Sequence, residues 1–351
     1  MGLTLRQQKV LEIINNKPDI SISEIKEILQ VDITQVTLNR DLSRLVKTKL
    51  IQKIGKGRAI RYQVSISFQL FSTIDLDKYF ADEVDSREGE KQFNHEMFSI
   101  LNEAEIFTPK EKEFLSQLHE TYTRNIKDIP PTIYQKELER LTIDLSWKSS
   151  QIEGNTYSLL ETEQLLLQKI EAKNKTKEEA IMLLNHKDAL RYIADESKEL
   201  VSPIRISVIE DIHSILVKDL RVEKNIRSRM VGITGTTYTP PDNEFQIREY
   251  LQEMCNLINS LDNGFEKALL AVALISYIQP FADGNKRSGR IIGNVLLMAS
   301  GNCPLSYRSV SSLEYKKAML LFYEQNNLQY FKELFINQYE FAVNNYFTKN
   351  I

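Results

Sequence analysis

Apolar residues recur every three to four positions along most of this chain, with two short breaks in the rhythm. Leu5, Val10, Leu11, Ile13 and Ile14 share one face, and Thr4 stands where an N-cap belongs, so a first helix is predicted over 5–15. Ser21 opens a Ser-x-x-Glu capping box with Glu24, and Ile25, Ile28 and Leu29 continue it as a second helix. A third helix begins near Thr34. It turns Leu38, Leu42, Leu45 and Val46 inward and leaves Thr34, Gln35, Thr37, Arg40 and Arg44 on the opposite face. The period then shortens to that of strands over 51–54 and 59–64. Gly55-Lys56-Gly57-Arg58 lies between them, a hairpin turn with a basic tip.

From Ser65 to about Ala104 the sequence is polar and charged, a connector that becomes helical near Phe93–Phe98. Helical spacing then dominates: 109–124, 135–149, 161–171, 176–194, 205–219, 246–260, 265–278, 286–300 and 312–348 all carry it. The exception is a β-type patch around Met230–Pro241. The expected fold is therefore mainly α, an all-α bundle with a small β-hairpin. Three segments are expected: a small head over 1–65, a connector over 66–104 and the helical body over 105–351.

A chain of 351 residues is too long for one ordinary core, which agrees with that division. Hydrophobic residues make up 42% and charged ones 26%, the balance of a soluble globular protein. No apolar run approaches the roughly 20 residues that span a bilayer. Ala268–Ile278 is too short and reads as a buried helix. Residues 1–9 lack a signal-peptide pattern, so a cytoplasmic location without a membrane partner is expected. Two cysteines, Cys255 and Cys303, give no disulfide framework. His95, His119, His186 and His213 have no ligand spacing and are expected as ordinary surface or half-buried histidines. The net charge of −3 hides an asymmetry: residues 1–65 hold twelve Lys and Arg against six Asp and Glu, and the remainder is acidic. A basic head on an acidic body suggests a separate task for the head.

Three helices followed by a basic hairpin resemble a winged helix-turn-helix. The resemblance implies that Thr34, Gln35, Thr37, Arg40 and Arg44 face a DNA major groove while Lys56 and Arg58 meet phosphate. The same head could instead make protein contacts, with its charges as a solvated face.

Helix 265–278 runs into Gln279-Pro280, where Pro280 cannot continue it. A new helix starts near Asn285, so Asp283-Gly284-Asn285 lies at a helix N-terminus, whose free N–H groups and dipole favour an anion. Arg287 and Arg290 stand three residues apart on one face, a phosphate clamp. Asp283 adds a carboxylate suited to Mg²⁺. The residues read as a polyphosphate site.

The run Gln279-Pro280-Phe281-Ala282-Asp283-Gly284-Asn285-Lys286-Arg287-Ser288-Gly289-Arg290 resembles the active-site loop of the Fic family, and the likeness extends over roughly 70–345. It implies ATP and Mg²⁺ as ligands, with Asp283 on the metal. Gly284, Asn285, Lys286, Arg287 and Arg290 would surround the phosphates, and Gln279, Asp283, Asn285 and Arg287 stand at the catalytic positions. The implied reaction is transfer of AMP to a Ser, Thr or Tyr hydroxyl of a target protein. Ser149-Ser150-Gln151-Ile152-Glu153-Gly154 matches the family's inhibitory pattern, so the resemblance implies an inhibitory helix over about 135–155. Its Glu153 would form a bidentate pair with Arg290. Gly154 serves equally as the C-cap that ends this helix. The segment 229–241 is similar to the family's flap hairpin. Val231 and Ile233 belong to it, Gly235 is its turn and Tyr238 a substrate-facing group.

Two positions depart from the family. Gln279 stands where the family has His, and an amide cannot serve as the general base, a role worth about 10²–10⁴-fold. It reads as a variant with weakened transfer, as a sign that another group is the base, or as a replaced His. Lys286 stands where Gly is usual, as in the Doc toxin, a relative that transfers the terminal phosphate. The leading expectation is an ATP-binding protein resembling a protein adenylyltransferase, restrained by Glu153 and weakened at Gln279. The alternatives are a DNA-binding transcriptional regulator with a degenerate, nucleotide-sensing Fic body, and a Doc-type kinase. ATP, a protein target, DNA and a second copy in a homodimer are the candidate partners.

Overall fold

Ser and Thr side chains begin many of the helices, closing the N–H groups that each helix start leaves open. The computed structural model describes residues 3–31 and 33–348. Among these, sixteen helices and one three-stranded sheet form a mainly helical fold, as expected. Two compact units emerge. One holds residues 3–74 with Glu103–Glu105, the other Asp75–Asn102 with the chain from Ile106 onward.

The first unit carries α1 (Leu5–Asn16), α2 (Ile22–Leu29), α3 (Gln35–Lys47) and α4 (Ile66–Phe71). Thr4 with Gln7 and Ser21 with Glu24 form the capping boxes of α1 and α2. Strands β2 (Ile51–Ile54) and β3 (Arg61–Val64) pair antiparallel. A third strand, β1 (Ile20–Ser21), joins β3 through Ile20↔Tyr62, giving the order β1-β3-β2. Two residues give no period to read, so this strand is invisible in the sequence. Val10, Ile14, Ile25, Leu38, Leu42 and Leu45 are fully buried at the centre. Asp41 is buried among them, accepting from Arg6 Nε at 2.6 Å and Gln7 Nε2 at 2.9 Å, and so fastens α3 to α1.

The second unit runs through α5 (Leu76–Tyr79), α6 (Met97–Glu103), α7 (Pro109–Lys127), α8 (Pro131–Ile152), α9 (Leu159–Gln168) and α10 (Lys177–Leu200). It continues with α11 (Ile206–Leu216), α12 (Glu244–Ser260), α13 (Gly264–Ile278), α14 (Asn285–Ala299), α15 (Ser312–Gln325) and α16 (Gln329–Asn345). Helix α13 is apolar around most of its circumference and buried along most of its length, the pattern of a central helix. Its partner α14 comes close because Gly289 and Gly293 face Val272. A Cβ at Gly293 would sit 2.6 Å from Val272 Cγ2.

Three expectations need correction. The stretch 312–348 is two helices, broken where Asn326 adopts a left-handed conformation (φ 49°) and gives its amide to Phe322 O and the Tyr277 hydroxyl. The 229–241 segment holds no strand. It turns at Thr234-Gly235 and touches its neighbour by a single bridge, Gln92↔Thr239. Pro240 and Pro241 lack N–H donors, and arginine side chains take the carbonyls of Arg229, Gly235 and Pro241, so no ladder forms.

The third correction concerns residues 66–104, which are not a separate connector. Residues 75–91 form a strap on the helical unit. Phe93 then packs on Tyr250 and Tyr277, with ring centroids 4.4 and 4.8 Å away. Tyr79 donates to Glu324 Oε2 at 2.7 Å. Arg87 pairs with Glu324 at 3.4 Å and donates to Gly235 O. Gly89 lies against the Glu324 carbonyl, where a Cβ would clash with backbone. Gly89→Ala is therefore expected to cost about 1–3 kcal/mol and to lower the calorimetric Tm by several degrees. An unchanged Tm would mean that the strap yields freely.

Candidate active site

The end of α13 sets the site. Gln279 caps it in the left-handed region (φ 51°), Pro280 follows, and Gly284 (φ 84°) starts α14 without a capping side chain. A Cβ on Gly284 would come within 3.4 Å of Arg287 Nη2 and the His213 ring. Between them the loop fastens itself. Asn285 Nδ2 donates to Gln279 Oε1 and Phe281 O, both at 2.8 Å, and Asn285 Oδ1 accepts from Phe281 N at 2.8 Å. Gln279 Nε2 donates to Ser276 O at 2.6 Å. Both amides, expected at catalytic positions, are thus spent inside the loop. The Asn285 side chain has no hydrogen left for a phosphate.

Residues from other segments hold the loop from outside. Arg227, buried, donates from Nε to Gln279 O (2.6 Å), from Nη1 to Arg229 O (2.7 Å) and from Nη2 to Pro241 O (2.5 Å). Its own N–H meets Pro280 O at 3.0 Å. Burial lowers its pKa to about 10. His213 of α11 stacks flat on Phe281, centroids 3.6 Å apart, with Nε2 3.0 Å from Asp283 O. His186 of α10 is buried beside Ser149. The expectation of ordinary surface or half-buried histidines fails for both, since Ser149 and Asp283 lie far away in sequence. Arg87, Arg227, His186 and His213 left no local signal.

The two arginines of α14 lie on one face and are buried, Arg287 at 1% exposure and Arg290 at 0%. Arg287 Nη2 meets Asp283 Oδ2 at 2.9 Å, while its Nε and Nη1 have no partner among the described residues. Arg290 donates from Nε to Ser149 Oγ (2.8 Å) and from Nη2 to Ser149 O (2.9 Å) and Glu153 Oε1 (2.8 Å). Its guanidinium lies 5.1 Å over the Tyr315 ring. Glu153 caps α8 and Gly154 follows at φ 99°. The expected bidentate pair is replaced by a shared one: Glu153 Oε2 turns to Lys286 Nζ at 3.4 Å. Lys286, the residue that replaces Gly in the pattern, supplies the second cation. Asp283 is 65% exposed in its side chain, with Oδ1 accepting the Gly284 N–H at 2.6 Å.

A cleft of about 830 Å³ opens over the loop. Val231, Ile233 and Gly235 line it, as do Lys286, Glu153 and Gly154. The strap adds Phe80, Asp82 and Val84, and α15 adds Lys316 and Lys317, none of them legible as site residues. Tyr238, expected to face a substrate, is instead core. It is 2% exposed, stacked on Tyr277 and Tyr323, and donates to Tyr277 O at 2.9 Å.

In the first unit, Gln35 and Arg40 are exposed on α3 and Lys56 on the turn, whereas Arg44 is half-buried. Thr34 caps α3, its Oγ1 accepting from Thr37 N at 3.2 Å and lying 3.0 Å from Thr37 Oγ1, so these hydroxyls serve the helix start. The Arg58 side chain lies outside the described residues.

Burial alone would raise the Glu153 carboxyl, but Arg290 and Lys286 outweigh it and hold it down at about 2. A depressed carboxyl stabilises the fold above its unfolded value near 4.5 and loses that contribution as pH falls toward 2. Glu153→Gln should therefore lower the Tm by a constant amount from about pH 8 to pH 5, with the gap closing in stronger acid. A gap that closes near neutrality would contradict the pairing.

Residues 203–297 match the model of the Fic/DOC family. The chain is 27% identical over 165 residues to Protein adenylyltransferase Fic of Nematostella vectensis, covering 46% of this chain and 39% of that protein. It is 27% identical over 170 residues to Protein adenylyltransferase fic-1 of Caenorhabditis elegans, covering 47% and 33%. The chain thus spans well under half the length of these curated relatives. Among solved structures, Fic-1 from C. elegans aligns with a TM-score of 0.58 at 22% identity, covering 67% of this chain and 71% of that one. A Fic domain containing signaling protein from Bacteroides thetaiotaomicron aligns at 0.56 and 18%, covering 66% and 94%. Ser149, Glu153 and the strap lie outside the matched stretch, while the loop, α11, α13 and the 227–241 turn lie within it. Residues 203–297 are accordingly similar to the Fic/DOC family, and the helical fold around them is shared with solved Fic proteins.

Proposed function

We propose that the helical unit binds ATP and transfers its AMP moiety to a protein hydroxyl, with Glu153 as the restraint. One observation carries this reading: two buried guanidinium groups stand on α14 beside one loop, one paired with Glu153 and the other holding Nε and Nη1 without acceptors among the described residues. Buried donors left unpaired are costly, and phosphate oxygens are the acceptors that match a guanidinium fork. The relatives called protein adenylyltransferase support the choice of reaction. In the transfer, the target oxygen bonds to the α-phosphorus, the bond from that phosphorus to the oxygen bridging to the β-phosphate breaks, and pyrophosphate leaves while the hydroxyl proton passes to water or to the departing pyrophosphate.

Asp283, exposed at the cleft, is the residue that would hold Mg²⁺, and the metal would supply charge neutralisation along the phosphates. Among the described residues no group of three His, Cys, Asp or Glu could hold a metal. A Mg²⁺ site of one carboxylate plus phosphate oxygens fits that composition. Glu153 on Arg290 and Lys286 competes with the phosphates for the same cations. Gln279 offers no proton acceptor, so transfer is expected to be slower by about 10²–10⁴ than with a base in place.

The first unit supports a second activity. With α1 to α3, a small sheet and exposed Gln35, Arg40 and Lys56, it reads as a winged helix that places α3 in the major groove of duplex DNA.

Calorimetric titration should show ATP binding at least about tenfold tighter to Glu153→Gly than to wild type, the loss of one ionic competitor. Negligible binding to both would sink the nucleotide site. Label from α-³²P but not γ-³²P ATP is expected on protein, and the reverse would favour terminal-phosphate transfer. Charge reversal at Arg40, Arg44, Lys56 and Arg58 should abolish duplex binding in fluorescence anisotropy. Unchanged affinity would remove the DNA reading.

A further inference from the structure

We propose that His186 is a positioning residue for Arg290 and acts through the hydroxyl of Ser149. His186 lies on α10, outside the matched family stretch, and is 0% exposed. Its Nδ1 is 2.9 Å from Met182 O, much nearer than the 3.4 Å to Ser150 Oγ. A carbonyl only accepts, so Nδ1 carries the ring hydrogen. Its Nε2 is then a lone pair, 2.8 Å from Ser149 Oγ. The single hydroxyl hydrogen of Ser149 therefore points at His186. That leaves the oxygen lone pairs of Ser149 facing Arg290 Nε at 2.8 Å.

The consequence falls on the guanidinium. Ser149 takes it twice, Oγ from Nε and the backbone oxygen from Nη2 at 2.9 Å, which fixes its plane. The second Nη2 hydrogen then points to Glu153 Oε1, and Nη1 has no partner among the described residues. The opposite tautomer would set the Nδ1 lone pair against Met182 O. An imidazolium would add a third cation beside Arg287 and Arg290, against which Glu153 is the facing acid. Burial, opposed by the Met182 carbonyl and reinforced by both arginines, pushes the ring down to about 3 and keeps it neutral. His186 thus sets the direction in which Arg290 offers its hydrogens to whichever anion occupies it, carboxylate or phosphate. Its bearing on ATP rests on the proposed nucleotide site, while the relay itself does not.

Nitrogen NMR of the full chain with ¹⁵N-labelled histidine, without nucleotide, tests the relay directly. Hydrogen on Nδ1 and a bare Nε2 are expected for His186 from about pH 5.5 to 8. Hydrogen on Nε2, or a titration within that range, would overturn the relay. ATP titration in the Glu153→Gly background gives the functional arm. His186→Leu should weaken ATP about tenfold, the worth of one hydrogen bond to a charged group. His186→Gln, whose amide oxygen can accept from Ser149, should stay within about twofold and keep the wild-type Tm. Once Ser149→Ala is present, His186→Leu should add nothing further. Equal losses with and without Ser149→Ala would make His186 a packing residue and end the proposal. If Glu153→Gly binds no ATP, the nucleotide reading falls and the ring tautomer still decides the relay.

Discussion

Two positive charges buried on one face of α14 are the constraint that the surrounding structure answers. A guanidinium without water is tolerated only when its hydrogens find acceptors and its charge finds a partner. Helix α8 ends where it does, with Glu153 at its C-cap, and so meets this demand at Arg290. Ser149 one turn earlier, the Tyr315 ring below and His186 behind complete the enclosure. Arg287 is served by Asp283 alone.

The loop between α13 and α14 keeps its shape by its own bonds. Gln279 and Asn285 join through their amides, and Asn285 also spans Phe281. No hydrogen bond in this staple depends on a ligand. Such a loop is organised before anything binds, the condition under which oriented backbone groups act most strongly on an arriving anion. The same staple explains why a Gln is accommodated at this position. Its amide donates at one end and accepts at the other, and the loop uses both.

What could be read from the sequence was local. The capping boxes at Thr4 and Ser21, the inward face of α3, the break at Pro280 and the start of α14 at Asn285 each follow from residues a turn apart. The features that escaped are joined across long separations. Arg227 meets Gln279, Arg87 meets Gly235 and Glu324, and Asp41 meets Arg6, with nothing in their neighbourhoods to announce it. Tyr238 misled for the same reason. In an imagined hairpin its side chain would alternate outward, but the segment is fixed by prolines and arginine bonds, which deliver the ring into a stack with Tyr277 and Tyr323. Asn285 carried the right residue type for holding a phosphate, yet its geometry gives it to the loop.

Arg227 has one more property. Its guanidinium gives each of its three nitrogens a carbonyl acceptor and forms no salt bridge among the described residues, so every nitrogen has a partner while no carboxylate touches the charge. Carbonyl dipoles relieve the cost of burial without ending the charge's reach. Walls of low dielectric carry that field toward the cleft instead of letting solvent dissipate it. That field would draw an anion toward the loop, against the carboxylates of Glu153 and Asp283 that share the cleft. Dissolved salt would weaken that attraction outside the cleft far more than within it.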